Sequence, residues 1–102
     1  MTLRLSRAAL RDLEDIYVFG ARRFGVPQAE LYARSITNTL QRMDAHPGEF
    51  PEVTHGGETF RRAVSGRHSL YFRRRGDVTV VLRILGGQDP LRLLDGFPDL
   101  DL

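Results

Sequence analysis

The apolar residues of this chain change their period partway along it, from about 3.6 positions as far as His46 to two positions from Thr59 onward. Past a short opening segment, helices are therefore expected first and the main strands afterwards, because each period sets one face of its own kind of element against a core. At 102 residues the chain fits one domain. A domain this short buries only about two-thirds of the surface its unfolded chain exposes, so any site is expected as a groove or a face.

The helical half opens with a short strand, Thr2 to Leu5. Ser6 suits an N-cap, since its hydroxyl can accept from an orphan amide of the first turn. Leu10, Leu13, Ile16, Tyr17 and Phe24 then form an apolar stripe, with Arg11, Asp12, Glu14 and Asp15 facing outward. Gly25 reads as a left-handed residue ending the helix. Pro27 suits the first turn of a second helix, whose stripe is Ala29, Tyr32, Ala33, Ile36, Leu40 and Met43. That helix runs to His46 and stops at Pro47-Gly48, giving an antiparallel helical hairpin.

Pro47 to Glu58 shows no period and is expected as a loop. Thr59–Val64, His68–Arg74 and Val78–Leu85 are expected strands, joined by short turns at Ser65-Gly66-Arg67 and Arg75-Gly76-Asp77. In the last strand Val78, Val80, Leu82 and Ile84 share a face that is expected beneath the helices, which leaves Arg83 on the free face. Gly86-Gly87 ends the strand, and Asp89-Pro90 can cap one more helical turn through Leu94. The fold class is α+β, order β-α-α-β-β-β, with a helical hairpin on a small, mostly antiparallel sheet. Residues 1–95 form the domain and 96–102 a tail.

Charge is distributed unevenly. Residues 1–58 carry seven arginines against eight acids, whereas residues 59–92 carry eight arginines against Asp77 and Asp89. Every basic residue is arginine, so no side-chain amine is available as a general base or Schiff-base nucleophile. Cysteine is absent, which excludes disulfides, thiolate nucleophiles and cysteine-ligated zinc. His46 and His55 lack partners at metal-ligand spacing, and no glycine sits in a phosphate-loop pattern, so neither metal nor cofactor is expected. The N-terminus lacks the apolar run of a signal peptide, and no segment has the length of a membrane span. A cytoplasmic protein is expected.

Several strings in this order resemble ParE-type toxins of the ParE/RelE superfamily. They are Leu5-Ser6 leading into Asp12-Leu13 and Tyr17, Phe24-Gly25 followed by Ala29 and Tyr32-Ala33, and His46-Pro47. Phe60-Arg61-Arg62, Gly66-Arg67-His68-Ser69-Leu70-Tyr71-Phe72-Arg73 and Val81-Leu82-Arg83-Ile84-Leu85 are similar to the family's later strands. The likeness spans roughly residues 3–95. It implies a toxin neutralised by a co-expressed ParD-like antitoxin in a hetero-oligomer, the antitoxin rather than the toxin binding operator DNA. It further implies one of two targets, because ParE members poison DNA gyrase whereas RelE members cleave mRNA in the ribosomal A site.

Arg61, Arg62, Arg73 and Arg83 can serve as a clamp for phosphate or carboxylate through the guanidinium fork. The bland alternative is a solvated, salt-bridged face. Arg83 stands out because it lies inside an otherwise apolar strand, where a charge needs a partner. Arg73-Arg74-Arg75 at a turn either steers acidic partners or simply keeps the turn soluble. Tyr71 joins the four arginines as an expected target-binding residue. Ile16, Tyr17, Phe24, Tyr32, Arg62 and Arg73 are expected to meet the antitoxin, an acidic amphipathic segment laid over the hairpin and sheet edge. The apolar tail residues Leu91, Leu93, Leu94, Phe97 and Leu100 either pack or present a contact surface.

RNA cleavage needs a base, positive charge for the phosphate and an acid for the leaving oxygen. Arg61, His68 and Arg83 are the set on which that reading rests, with Tyr71 as a further acid–base group. Lysine is absent, and Gly86 stands where many relatives place histidine. The expected activity is therefore inhibition of gyrase by binding, without turnover. A ribosome-dependent endoribonuclease is the alternative, and an inactive relative that only binds an antitoxin is a third.

Overall fold

The computed structural model describes residues 2–86. The expected helical turn at Asp89-Pro90, Gly87, the apolar tail and the domain limit at residue 95 lie outside them. Thr2–Leu5 forms β1, Arg7–Phe24 α1 and Val26–Ala45 α2. Ser6 caps α1 as expected, its hydroxyl oxygen accepting from the Ala9 amide at 3.0 Å. The same hydroxyl donates to the Leu82 carbonyl at 2.8 Å, which ties the cap to the sheet. Gly25 ends α1 with φ 92° and ψ 158°, a positive φ that favours glycine, as expected, though with ψ outside the left-handed helical range. Pro27 lies in the first turn of α2. The helices approach closely at Gly20, where an added Cβ would lie 3.5 Å from the Ala29 Cβ.

Four strands follow: β2 Glu52–His55, β3 Glu58–Ser65, β4 His68–Arg75 and β5 Val78–Gly86. They join β1 in a five-stranded sheet of order β1-β5-β4-β3-β2, in which only β1 and β5 pair in parallel. The order is thus β-α-α-β-β-β-β, one strand more than expected. The segment read as a loop holds a 3-10 turn at Pro47–Glu49 and then β2. Gly56-Gly57, both at positive φ, form the two-residue turn that joins β2 to β3. The strand escapes a periodicity search because Glu52 and Thr54 are exposed and Val53 and His55 only half-buried at the sheet edge.

The helices cover one face of the sheet. Ala9, Ile36 and Met43 are fully buried there against Leu70, Phe72 and Val81. Phe50 closes this core edge-on to Phe72, with ring centroids 5.8 Å apart. Leu13, Ile16 and Tyr32 pack at its margin, whereas Leu10 and Phe24, expected in the stripe, are 49% and 64% exposed.

Strand β5 corrects a second expectation. Tyr71 pairs with Arg83 but Phe72 pairs with Val81, so Leu82 is an extra residue at a bulge. The bulge resets the alternation. Val81 and Ile84 both pack toward the helices, while Val80, Leu82 and Leu85 pack with Phe60 and Tyr71 on the opposite face. Of the four residues expected beneath the helices, only Ile84 is there. Among the described residues no helix is long and apolar enough to cross a membrane.

Candidate functional site

Arg83 does not stand on a free face. Its Nε donates to Asp12 Oδ2 at 2.7 Å and its Nη2 to Asp12 Oδ1 at 2.8 Å. Asp12 also accepts from the Ile84 amide at 2.9 Å. A bulged strand passing beside α1 produces this fork-to-carboxylate pair, and Asp12, expected to face solvent, turns inward to meet it. Two of the three guanidinium nitrogens are thereby committed inside the fold.

The four arginines expected on one surface are divided. Arg61 donates to the Phe50 carbonyl at 2.7 Å and to Glu52 at 3.2 Å, near the β2 edge. Arg62 and Arg73 share with Tyr71 the face opposite the helices. Arg62 Nε donates to Ser69 Oγ at 3.1 Å, and Arg73 lies 5.7 Å from the Phe60 ring centre while donating to Glu58. Tyr71 is 1% exposed, so its ring packs in the second cluster rather than offering a contact. Arg74 turns the other way and donates to the Asp44 carbonyl and Thr79 Oγ1. The triple-arginine turn is therefore split between surfaces.

His68 is held at the start of β4 by Tyr32 from α2. The Tyr32 hydroxyl lies 2.5 Å from His68 Nδ1 and 3.1 Å from the Ser65 carbonyl, and receives the Arg67 amide at 3.2 Å. Two glycines make room for this pair. A Cβ on Gly66, which has φ +57°, would lie 2.7 Å from the Tyr32 ring, and one on Gly86 would lie 2.8 Å from His68 Nε2. Burial lowers the pKa of His68 from the ordinary value of 6.5, opposed in part by the negative charge of Asp12. The imidazole is consequently biased toward its neutral form.

Among the described residues, hollows lie on either side of α1. One, of about 390 Å³, lies between the helices and is lined by Leu13, Ile16, Tyr17, Ala29 and Ala33. The other, of about 480 Å³, lies between α1 and the β3–β4 turn, lined by Ile16, Phe19, Arg23, Phe24, Tyr32, Arg67 and His68. Ile16 belongs to both. Of the residues expected to meet a partner, Ile16, Tyr17, Phe24 and Tyr32 are brought to these hollows, whereas Arg62 and Arg73 lie across the sheet. Phe19, Arg23 and Arg67 were not singled out from the sequence. The available signal was Phe19, a phenylalanine standing off the apolar stripe, and it is 63% exposed.

The set proposed for phosphodiester chemistry is not assembled. Arg61 lies four positions along β3 from Ser65, the residue paired with His68, about 13 Å of strand. Arg83 is closed on Asp12 and His68 on Tyr32.

Comparison with known proteins adds identity to this geometry. A family model described as the ParE toxin of the type II toxin–antitoxin system parDE matches residues 3–90. Toxin ParE1 of Caulobacter vibrioides is 39% identical over 70 residues, 69% of this chain and 73% of that protein. Toxin ParE1 of Mycobacterium tuberculosis is 36% identical over 84 residues, 79% of this chain and 84% of that one. A solved structure of a chromosomal ParDE toxin–antitoxin system from P. aeruginosa superposes with a TM-score of 0.74 at 21% identity. It covers 86% of this chain and 97% of the other, and shows the same fold.

Proposed function

This chain belongs to the ParE toxin family of type II toxin–antitoxin systems, and on that footing we propose that it acts by binding, with DNA gyrase as its target, and is neutralised by a cognate ParD-like antitoxin. One observation carries the preference for binding over turnover. Of the arginines expected to act with His68, Arg61 is held by the Phe50 carbonyl and Glu52 and Arg83 by Asp12, so both guanidinium groups are engaged within the fold rather than offered to a phosphate. A gyrase target also puts its action in the cytoplasm. The purified chain is expected to inhibit gyrase supercoiling or to accumulate cleaved complex. Neither effect at saturating toxin removes the gyrase reading. Toe-printing on programmed ribosomes is the companion assay, and new A-site cuts lost in His68→Phe would replace binding with RNA cleavage.

The antitoxin segment is an acidic amphipathic helix or strand. Its apolar side lies in the hollow between α1 and α2, and it continues around the sheet edge to the opposite face, where Arg62 and Arg73 meet its carboxylates. The motivation is the set of exposed apolar side chains on the helical pair, among them Leu10, Phe19, Phe24 and Leu31, which are 49 to 64% exposed. Binding that is unaffected both by salt and by Arg→Ala changes at 62 and 73 would remove this arrangement.

A further inference from the structure

The second hollow carries a hydrogen-bonding requirement that the first does not. The Tyr32 hydroxyl has one proton and two acceptor positions. The Ser65 carbonyl can only accept and the Arg67 amide can only donate, so the Ser65 contact is a hydrogen bond only where the phenol gives it its proton, while the Arg67 amide donates to the phenol oxygen. All three contacts are hydrogen bonds in one arrangement alone, with His68 Nδ1 donating to the remaining lone pair. Neutral His68 then has its free lone pair on Nε2, the ring edge facing Gly86. That edge lies where His68, Gly86, Ile16 and Phe19 line a continuation of the hollow.

The rest of the hollow fixes the kind of side chain that fits there. Ile16, Phe19 and Phe24 supply apolar walls, the two phenylalanines largely exposed. Arg23 and Arg67 stand at the rim, and among the described residues neither guanidinium is paired with a carboxylate. Asp15 on α1 shares that rim, so there is a place for one added negative charge beside the arginines and a donor below. A flat ring with a polar N–H or O–H edge satisfies both the walls and the acceptor.

We propose that this hollow is an anchor subsite of the antitoxin interface, taking a tryptophan or tyrosine side chain whose N–H or O–H donates to His68 Nε2, while an adjacent carboxylate meets Arg23 and Arg67. The occupant is the same acidic segment that fills the α1/α2 hollow, because Ile16 lines both and makes them one continuous surface. The inference rests on the antitoxin reading above and deepens it. Tyr32 acts here as a positioning residue: its hydroxyl is used up inside the fold, and its effect on a partner is to hold the imidazole in the accepting tautomer.

The test uses the full chain labelled with nitrogen-15 at histidine, and N-acetyltryptophan as probe. Long-range proton–nitrogen spectra of the free chain are expected to show His68 protonated on Nδ1. The probe is expected to shift His68 Nε2 and the Phe19 and Phe24 rings. N-acetyl-1-methyltryptophan, which lacks the indole N–H, is expected to bind roughly threefold to tenfold more weakly, the worth of one hydrogen bond. Arg67→Ala is expected to weaken N-acetyltryptophan and leave N-acetyltryptophanamide unchanged. An Nε2-protonated tautomer, equal binding of the methylated probe, or no shift at His68 overturns the proposal. Growth arrest on induction reads the toxin assignment separately: a chain that arrests growth but ignores the probe loses the subsite alone, and one that binds the probe without arresting growth loses the toxin reading alone.

Discussion

Asp12 and Arg83, 71 residues apart in the sequence, meet as a two-pronged ion pair that fastens the first turns of α1 to the last strand. The carboxylate takes a third hydrogen bond from the Ile84 amide, beyond the point where β1 ceases to pair with β5. Asp12 thus satisfies an amide of β5 that β1 does not reach. Side chains of both residues are mostly shielded, at 14% and 23% exposure, so the pair is less screened than a surface bridge.

Breaking this pair from either side leaves a half-buried charge without its partner. Asp12→Ala is expected to lower the unfolding free energy by about 1.5–3 kcal/mol. Asp12→Asn should cost less, because an amide oxygen still accepts from Ile84. Urea midpoints measure both, and a change within about 0.5 kcal/mol for Asp12→Ala would mean that the pair is inert.

His68 makes stability depend on pH with a definite sign. Its folded pKa is lowered by burial, so between the folded value and 6.5 the unfolded chain binds more protons. The contribution is complete above 6.5 and is lost as pH falls through the folded pKa. Urea midpoints between pH 8 and pH 5 should therefore decline, and His68→Phe should flatten that decline. Histidine proton shifts should place the His68 titration below 6.5, lower still in Asp12→Asn, where the opposing charge is gone.

Two glycine substitutions separate backbone strain from crowding. Gly76→Ala meets nothing within 4 Å but keeps φ +59°, so it should cost about 1 kcal/mol from backbone alone. Gly66→Ala has nearly the same φ and also drives a methyl into Tyr32, which should bring the cost to about 2–4 kcal/mol. The excess should shrink when Gly66→Ala is combined with Tyr32→Ala. An equal cost for the two single variants would show that the Tyr32 ring yields freely.

The exposed wall of the partner surface should separate binding from folding. Phe19→Ser is expected to leave the urea midpoint within about 0.5 kcal/mol, since the ring is 63% exposed. The same change should weaken rescue by the cognate antitoxin in co-expression. Ile36→Ala, at a fully buried position, should instead cost about 2–5 kcal/mol. Rescue that survives Phe19→Ser undiminished would move the antitoxin away from this side of α1.

The elements were largely legible because their signals are local. Ser6, Pro27 and the Ala29–Met43 stripe act within a few residues of themselves, and α2 buries Ala29, Ile36, Leu40 and Met43 as its period requires. Of the four strands found in the sequence, the three later ones carry dense apolar alternation. Strand β2 does not, because one side of it has no strand neighbour and no residue of it is fully buried. The family was also legible, since short strings in fixed order survive in a single sequence, and the match over residues 3–90 agrees with them.

What the sequence by itself determined was the two helices, four of the five described strands, their order and the surplus of arginine in the strand half. The tertiary structure decided which of those arginines remain on offer. A single extra residue at Leu82 shifts the parity of β5, returns Val81 and Ile84 to one side and brings Arg83 within reach of Asp12. Parity of that kind depends on how two strands pair across the sheet, and pairing is a long-range relation that no local period records. For the same reason the hollow at His68 was invisible beforehand, because it exists only where α1, α2 and the β3–β4 turn converge.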